Sequence, residues 1–323
     1  MDQRRLPDRL CYVLCQDYKQ VALAIREMTV RGAAAIGVTA AMGIALAAKN
    51  SRHSKNELLL RDIEKAAEII QGTRPTTGTL FWATARMVKK AKETANEKKD
   101  VRASLTAEAL RIAEEDIEAN RRMSKFGAEL IHDGDTVLTH CNSSTTIPFG
   151  GGLAVVRAAI GQGKRVKLIA TETRPRLQGA KITIYEALSE GINATLIVDS
   201  AVGTVMSKGL VDKVILGADR ITRKTLINKI GTLTIAITAK YHGIPFYSAT
   251  QMTTFDLNEG TDNVLIEERD SKEVTQIQGK RIAPKGTLVF NPAFDATPLE
   301  LVTGVITDRG ILSPDQIRNM EIN

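Results

Sequence analysis

The sequence predicts an α/β protein, with a helical N-terminal domain over residues 1–125 and a mainly parallel, Rossmann-like sheet domain over 126–323. Two features of the pattern carry this. Up to about residue 127 the chain reads as mostly helical, alanine-rich from Ala33 to Ala48 and with apolar residues at three- and four-residue spacing between charged ones from Ser104 to Leu130. After Asp133-Gly134-Asp135, short β-branched runs alternate with helix-like stretches of roughly 10–20 residues, as in βαβ units. A length of 323 residues also suits two domains.

Taken in order, Val21 to Ile25 and Ala33 to Ala48 read as helices, with Gly32, Gly37 and Gly43 permitting close backbone approach. Lys89, Lys90, Lys92, Lys98 and Lys99 mix with glutamates and read as a solvated helix face. Leu110, Ala113 and Ile117 mark a helix between Ser104 and Leu130. Beyond the Asp133-Gly134 turn, strands are expected from Thr136 to Thr139, Val166 to Ala170, Thr195 to Val198 and Lys213 to Leu216. Two more are expected from Phe246 to Ala249 and from Leu288 to Phe290.

Composition narrows the function. The net charge of +7 and pI near 9.3 suit nucleic acid or a small phosphorylated ligand. Aromatic residues make up only 4% and none interleaves with a basic run, which argues against a base-stacking platform. No apolar stretch approaches the ~18 residues of a membrane span. Met1 to Pro7 lacks an apolar export core, so a cytoplasmic protein is expected. Three cysteines (Cys11, Cys15, Cys141) cannot build a disulfide framework, and Cys11 and Cys15 share a face only if that segment is helical. His53, His132, His140 and His242 are scattered, so no structural metal site is expected. There is no G-x-G-x-x-G at a strand-to-helix turn, and Gly161-Gln162-Gly163-Lys164 is too short for a Walker loop. A dinucleotide enzyme is disfavoured.

In a parallel α/β sheet, ligands bind at the carboxyl ends of the strands. There the sequence places Cys141 to Thr146, Glu172 to Gly179, Asp199-Ser200, Asp219-Arg220 and Asn291 to Asp295. Thiol, carboxylates, guanidinium groups and amides together suit a polar, phosphorylated small molecule. Cys141 lies in polar surroundings, although single cysteines are also common core residues. Asp219 follows Val-Ile-Leu-Gly-Ala and reads either as a crevice acid or as a helix cap. Asn228-Lys229-Ile230-Gly231-Thr232 reads as an oxygen clamp or, equally, as a helix start with a surface lysine. Arg31 before a small-residue helix, and Arg74 before another, suit an anion at helix N-termini, or are ordinary surface charges.

Several motifs, in order along essentially the whole chain, resemble one family. They are Val30 to Gly37, Thr73-Arg74-Pro75-Thr76, Leu80-Phe81-Trp82-Ala83, Thr139-His140-Cys141-Asn142 and Thr171 to Ala180. Gly217 to Ile221, Asn228 to Thr232 and Asn291 to Asp295 complete the set. Together they resemble the 5-methylthioribose-1-phosphate isomerases of methionine salvage. That family shares its fold with ribose-1,5-bisphosphate isomerase and with the regulatory α, β and δ subunits of the translation-initiation exchange factor 2B. The resemblance implies a helical N-terminal domain joined to a Rossmann-like domain, a homodimer, and no metal or organic cofactor. It implies Cys141 and Asp219 as the catalytic pair. It implies Arg31, Gly32, Ala33, Arg74, Gln178, Asn228 and Lys229 as contacts to the sugar phosphate. The Arg-Gly-Ala-x-Ala-Ile-Gly form, Asn142 after Cys141, and Arg220 after Asp219 favour the methylthioribose enzyme over the bisphosphate one.

The chain departs from the family pattern in three places. Ala34 stands where the family usually has Pro. Arg220 to Ile227 is about one residue short, with Arg223 and Lys224 in place of an Asn-Gly-Asp turn. The chain also opens at Asp2-Gln3, where the family has already run through an N-terminal strand pair.

Overall fold

The computed structural model describes residues 1–74, 77–142, 151–257 and 266–321. These fall into two compact units that divide between Asn120 and Arg121.

The first unit is helical: α1 (Tyr18–Arg26), α2 (Ala33–Asn50), α3 (Asn56–Gln71), α4 (Gly78–Asn96) and most of α5 (Val101–Glu129). In α3, Leu59, Ile63, Ala66, Ala67 and Ile70 are all buried, the one-sided stripe of an amphipathic helix. Helix α2 is apolar on every side and packs against α1, α3 and α4. Ile25, Ile44, Ile63, Ile70, Leu80 and Met87 are fully buried in this core. Residues 9–16 carry no helix, so Cys11 and Cys15 do not share a helical face.

The second unit continues with β1 (Thr136–Thr139), α6 (Gly151–Gly161), β2 (Lys167–Thr171), α7 (Ile184–Ser189) and β3 (Asn193–Ile197). Next come α8 (Val202–Ser207), β4 (Lys213–Leu216), β5 (Arg220–Ile221), β6 (Thr225–Lys229), α9 (Thr232–Tyr241) and β7 (Phe246–Ala249). The chain then passes through α10 (Lys272–Thr275), β8 (Gln276–Ile277) and β9 (Lys280–Arg281). It ends with β10 (Phe294–Pro298), β11 (Gly304–Thr307), β12 (Gly310–Leu312) and α11 (Pro314–Arg318).

Among the described residues, seven strands form one sheet in the order β12-β11-β7-β4-β1-β2-β3, parallel except for β12. Alternation along the strands divides the core. Val137, Leu168, Ile215 and Ile306 join the side chains of α6 on one face. Leu138, Ile169, Val214 and Val305 join those of α8 and α9 on the other. Strands covered on both faces read as continuous apolar runs, which is why β1 and β4 are so plain in the sequence. A second, antiparallel sheet in the order β10-β6-β5 stands beyond the carboxyl end of β4.

One expected strand is absent. Residues 288–290 form no strand, and Leu288 and Phe290 are 97% and 80% exposed. Among the described residues, nothing covers these two side chains. The sixth strand of the main sheet is the fully buried β11. Asn291 to Asp295 therefore leads into β10 of the small sheet instead of leaving the main one.

The loop after β2 approaches the sheet so closely that only glycine fits at one point. A Cβ on Gly179 would lie 1.8 Å from the carbonyl oxygen of Thr171, a clash with backbone that no side-chain movement relieves. At Gly161, the last residue of α6, a Cβ would meet nothing within 4 Å. Urea unfolding should thus separate the two substitutions: Gly179→Ala is expected to lose ~3 kcal/mol or more, and Gly161→Ala to stay within ~1 kcal/mol of the parent.

Candidate active site

Strand β1 lies between β4 and β2 at the middle of the sheet, so the carboxyl ends of these three strands adjoin. Cys141 leaves the end of β1 and Asp219 follows the end of β4, placing thiol and carboxylate residues on neighbouring strands. Both are partly exposed. The Asp219 N–H donates to Ile227 O at 2.9 Å, which joins this residue to the β5–β6 hairpin. Asp219 enters a strand, so it is not a helix cap.

Cys141 has φ 63, in the left-handed region that side chains other than glycine rarely occupy. Thr173 and Leu177, in the loop after β2, share this conformation at φ 64 and 61. Each unusual peptide is tied down. The Cys141 N–H donates to Thr173 Oγ1 at 2.9 Å, and Thr183 Oγ1 donates to the Cys141 carbonyl at 2.7 Å. Asp199, after β3, accepts from the N–H groups of Thr173 and Arg174 at 2.8 and 2.6 Å.

His140 is buried and joins three segments. Its Nε2 meets the carbonyl of Ile230 at 2.9 Å and its Nδ1 meets Thr171 Oγ1 at 2.5 Å. A carbonyl only accepts, so Nε2 carries the proton and Nδ1 accepts from the hydroxyl. Burial pushes this imidazole below its ordinary pKa, which keeps it neutral, although the Asp199 carboxylate draws it upward.

Lys229 is not a surface lysine at a helix start. It ends β6, is 9% exposed, donates to Ala293 O at 2.9 Å and lies 4.3 Å from the Phe294 ring centroid. Asn228 is buried beside it and donates to Thr232 Oγ1 at 3.0 Å. Asp295, on β10, accepts from the N–H groups of Gly231 and Leu233 at 2.7 and 3.1 Å and so caps α9. Burial raises the Asp295 carboxyl to about 6, against the pull of those two N–H groups. Gln178, Lys229, Arg269 and Asn291 line a small recess next to this turn. Gln178 is 6% exposed and its buried Oε1 has no hydrogen-bond partner, an unsatisfied acceptor on a residue of this recess.

In the first unit, Gly32 caps α2 at φ 94, with Arg31 before it and Ala33 as the first helical residue. Arg31 Nε donates to Gln3 Oε1 at 3.2 Å. Arg74 precedes α4, and its buried Nε has no hydrogen-bond partner. Near their N-termini α2 and α4 approach closely: a Cβ on Gly37, in the second turn of α2, would lie 3.2 Å from Thr79 O in the first turn of α4. Two helix N-termini and two arginines thus share one end of this bundle, an arrangement that suits an anion. Pro75-Thr76 and Ser143 to Thr146 lie outside the described residues.

The sequence places His140 and Asp199 at strand ends but does not show their partners, which lie 25 to 90 residues away along the chain. Glu186, on α7, accepts from Asn142 Nδ2 at 3.0 Å, yet in sequence it is an ordinary helix glutamate. Among the described residues, no three His, Cys, Asp or Glu side chains are grouped to hold a metal ion. No described helix is long and apolar enough to cross a membrane.

Comparison with known proteins follows the same lines. Residues 29–314 match the Initiation factor 2 subunit family. A putative methylthioribose-1-phosphate isomerase of Methanocaldococcus jannaschii is 48% identical over 98% of this chain and 92% of its own. The solved 5-methylthioribose 1-phosphate isomerase of Pyrococcus horikoshii is 41% identical, with TM-score 0.88 over 98% of this chain and 90% of its own. A structure described as translation initiation factor eIF-2B, subunit delta, from A. fulgidus is 44% identical, with TM-score 0.85 over 98% and 93% of the two chains. Matched by the family's model over residues 29–314, and with relatives 41–48% identical over nearly its whole length, the chain belongs to the initiation factor 2 subunit family.

Proposed function

We propose that this chain is an aldose–ketose isomerase that converts 5-methylthioribose 1-phosphate to 5-methylthioribulose 1-phosphate in methionine salvage. The observation that carries this is the delivery of Cys141 and Asp219 from adjoining parallel strands to the carboxyl edge of the sheet. Relatives named for this activity, at 46–48% identity over nearly the whole chain, support it.

The chemistry explains why such a pair is needed. Phosphate on the anomeric oxygen prevents the spontaneous ring opening available to free aldoses. The enzyme must break the ring C–O bond and move a hydrogen from C2 to C1. Asp219 serves as general acid and base at the sugar oxygens, and Cys141 assists at C1 or C2. Gln178, Asn228 and Lys229 hold the sugar phosphate, as do Arg31, Gly32, Ala33 and Arg74 from the 1–125 domain. The protein works as a cytoplasmic homodimer without metal or organic cofactor, its Rossmann-like domain carrying the catalytic pair.

An alternative substrate, ribose 1,5-bisphosphate, requires extra positive charge for its second phosphate. Arg223 is poorly suited to supply it. Its guanidinium donates to the carbonyls of Leu257, Arg318 and Met320 at 3.0, 2.7 and 3.0 Å, spending its donors on backbone. Lys224 is exposed on the same turn and remains the residue through which that alternative would act. A second reading, a regulatory protein, is favoured by the likeness to the A. fulgidus structure described as an initiation-factor subunit. The retained Cys141 and Asp219 count against it, and isomerase assay of the purified chain separates the two.

Cys141→Ser and Asp219→Asn are each expected to lower kcat/KM for 5-methylthioribose 1-phosphate by ~10²–10⁴. Near-parental turnover in both variants would contradict the assignment. Lys229→Ala should raise KM about tenfold or more, because it removes a charge from the ground state as well as the transition state. Unchanged KM would remove Lys229 from the substrate contacts.

A further inference from the structure

Glu186 takes no part in the chemistry above, yet its side chain is only 13% exposed and joins a directed chain of hydrogen bonds. Asn142 Nδ2 donates to Glu186 Oε2 at 3.0 Å and to Thr183 Oγ1 at 3.1 Å. Thr183 Oγ1 donates to the carbonyl of Cys141 at 2.7 Å. The directions follow from the groups themselves. A carbonyl only accepts, so the one proton of Thr183 goes to Cys141 and its oxygen accepts from Asn142. The amide of Asn142 must then turn its NH2 toward both Thr183 and Glu186. A carboxylate only accepts, so ionised Glu186 permits that orientation and no other. A protonated acid also donates, and tolerates the flipped amide.

The chain of bonds ends on a peptide that needs support. Cys141 holds φ 63 between two ties, Thr173 on its N–H and Thr183 on its carbonyl. We propose that Glu186 is a positioning residue for Cys141: its carboxylate orients Asn142 and, through Thr183, holds the left-handed peptide that aims the thiol. The kinetic consequence rests on the isomerase reading; the consequence for the thiol does not.

The surroundings of Glu186 make this hold sensitive to pH. Burial raises its carboxyl to about 7, while the Asn142 hydrogen bond and Arg157 draw it down and Glu190 adds to the rise. Arg157, on α6, lies 3.9 Å from Glu186 and 2.5 Å from Glu190, which sits one turn further along the chain. Strand β3, which also packs on α7, brings no charged side chain. As pH falls through about 7 the acceptor-only state is lost, and with it the unique orientation of Asn142.

The test follows kcat/KM for 5-methylthioribose 1-phosphate, and the rate of Cys141 alkylation by iodoacetamide, from pH 5.5 to 9. Cys11→Ser and Cys15→Ser in every protein leave Cys141 as the single thiol. The parent should show an inflection near pH 7 in both readouts. Glu186→Gln should abolish that inflection and lower kcat/KM at pH 8 about tenfold. The same inflection in parent and Glu186→Gln would overturn the proposal. Should Glu186→Gln fail to fold, Arg157→Gln decides. Loss of the neighbouring cation should move the inflection to higher pH, and an unmoved inflection overturns the proposal. If the parent turns over no sugar phosphate, the isomerase reading fails while the alkylation profile still judges the positioning role.

Discussion

The buried imidazole of His140 is the interaction on which the geometry of this sheet edge depends. It is 3% exposed and spends both ring nitrogens on other segments: Thr171 at the end of β2 and Ile230 just beyond β6. Charging it would cost the desolvation of a cation in the core, so burial keeps it neutral with one donor and one acceptor. Cys141 is the next residue in the chain and Lys229 precedes Ile230. One side chain therefore fixes the thiol's loop and the lysine's turn to the same strand end.

Around this tie the backbone is held in costly conformations. Cys141, Thr173 and Leu177 all have positive φ, each worth about 1–3 kcal/mol of strain. Such conformations persist where the surroundings over-determine them. Here Asp199 accepts two N–H groups from the loop after β2, and the threonines at 173 and 183 hold both ends of the Cys141 peptide. The small sheet does the same for the other wall. Asp295 caps α9 while Lys229 is pinned against Ala293 and Phe294. Groups fixed before a ligand arrives need no reorganisation during reaction, which is the main economy of a preorganised polar site.

How much of this was legible in the sequence depends on the range of the interactions. Strands β1, β4 and β7 could be read to their ends because burial on both faces leaves unbroken apolar runs. The run from Leu288 to Phe290 has the same texture but lies exposed, whereas Gly304–Thr307, flanked by polar residues, is a buried strand. Local texture cannot report which surface a segment meets. The same limit applies to the site. Cys141 and Asp219 stand at strand ends and could be picked out by position. Glu186 could not, because its environment is made by Asn142 and Arg157, brought from forty-four and twenty-nine residues away in the chain. Likewise nothing local to Arg223 shows that its guanidinium is held by the carbonyls of Leu257, Arg318 and Met320.

The proposed reaction at this sheet edge opens and isomerises a sugar carrying phosphate on its anomeric oxygen, with a methylthio group at the far end. The most direct measurement is side-by-side turnover of 5-methylthioribose 1-phosphate and ribose 1,5-bisphosphate by the purified chain, with the ketone carbon of the product followed by ¹³C NMR. A ketone signal is expected from the first substrate, with kcat/KM well above that for the second. A preference for the bisphosphate, or no ketone from either sugar, would contradict the proposed reaction.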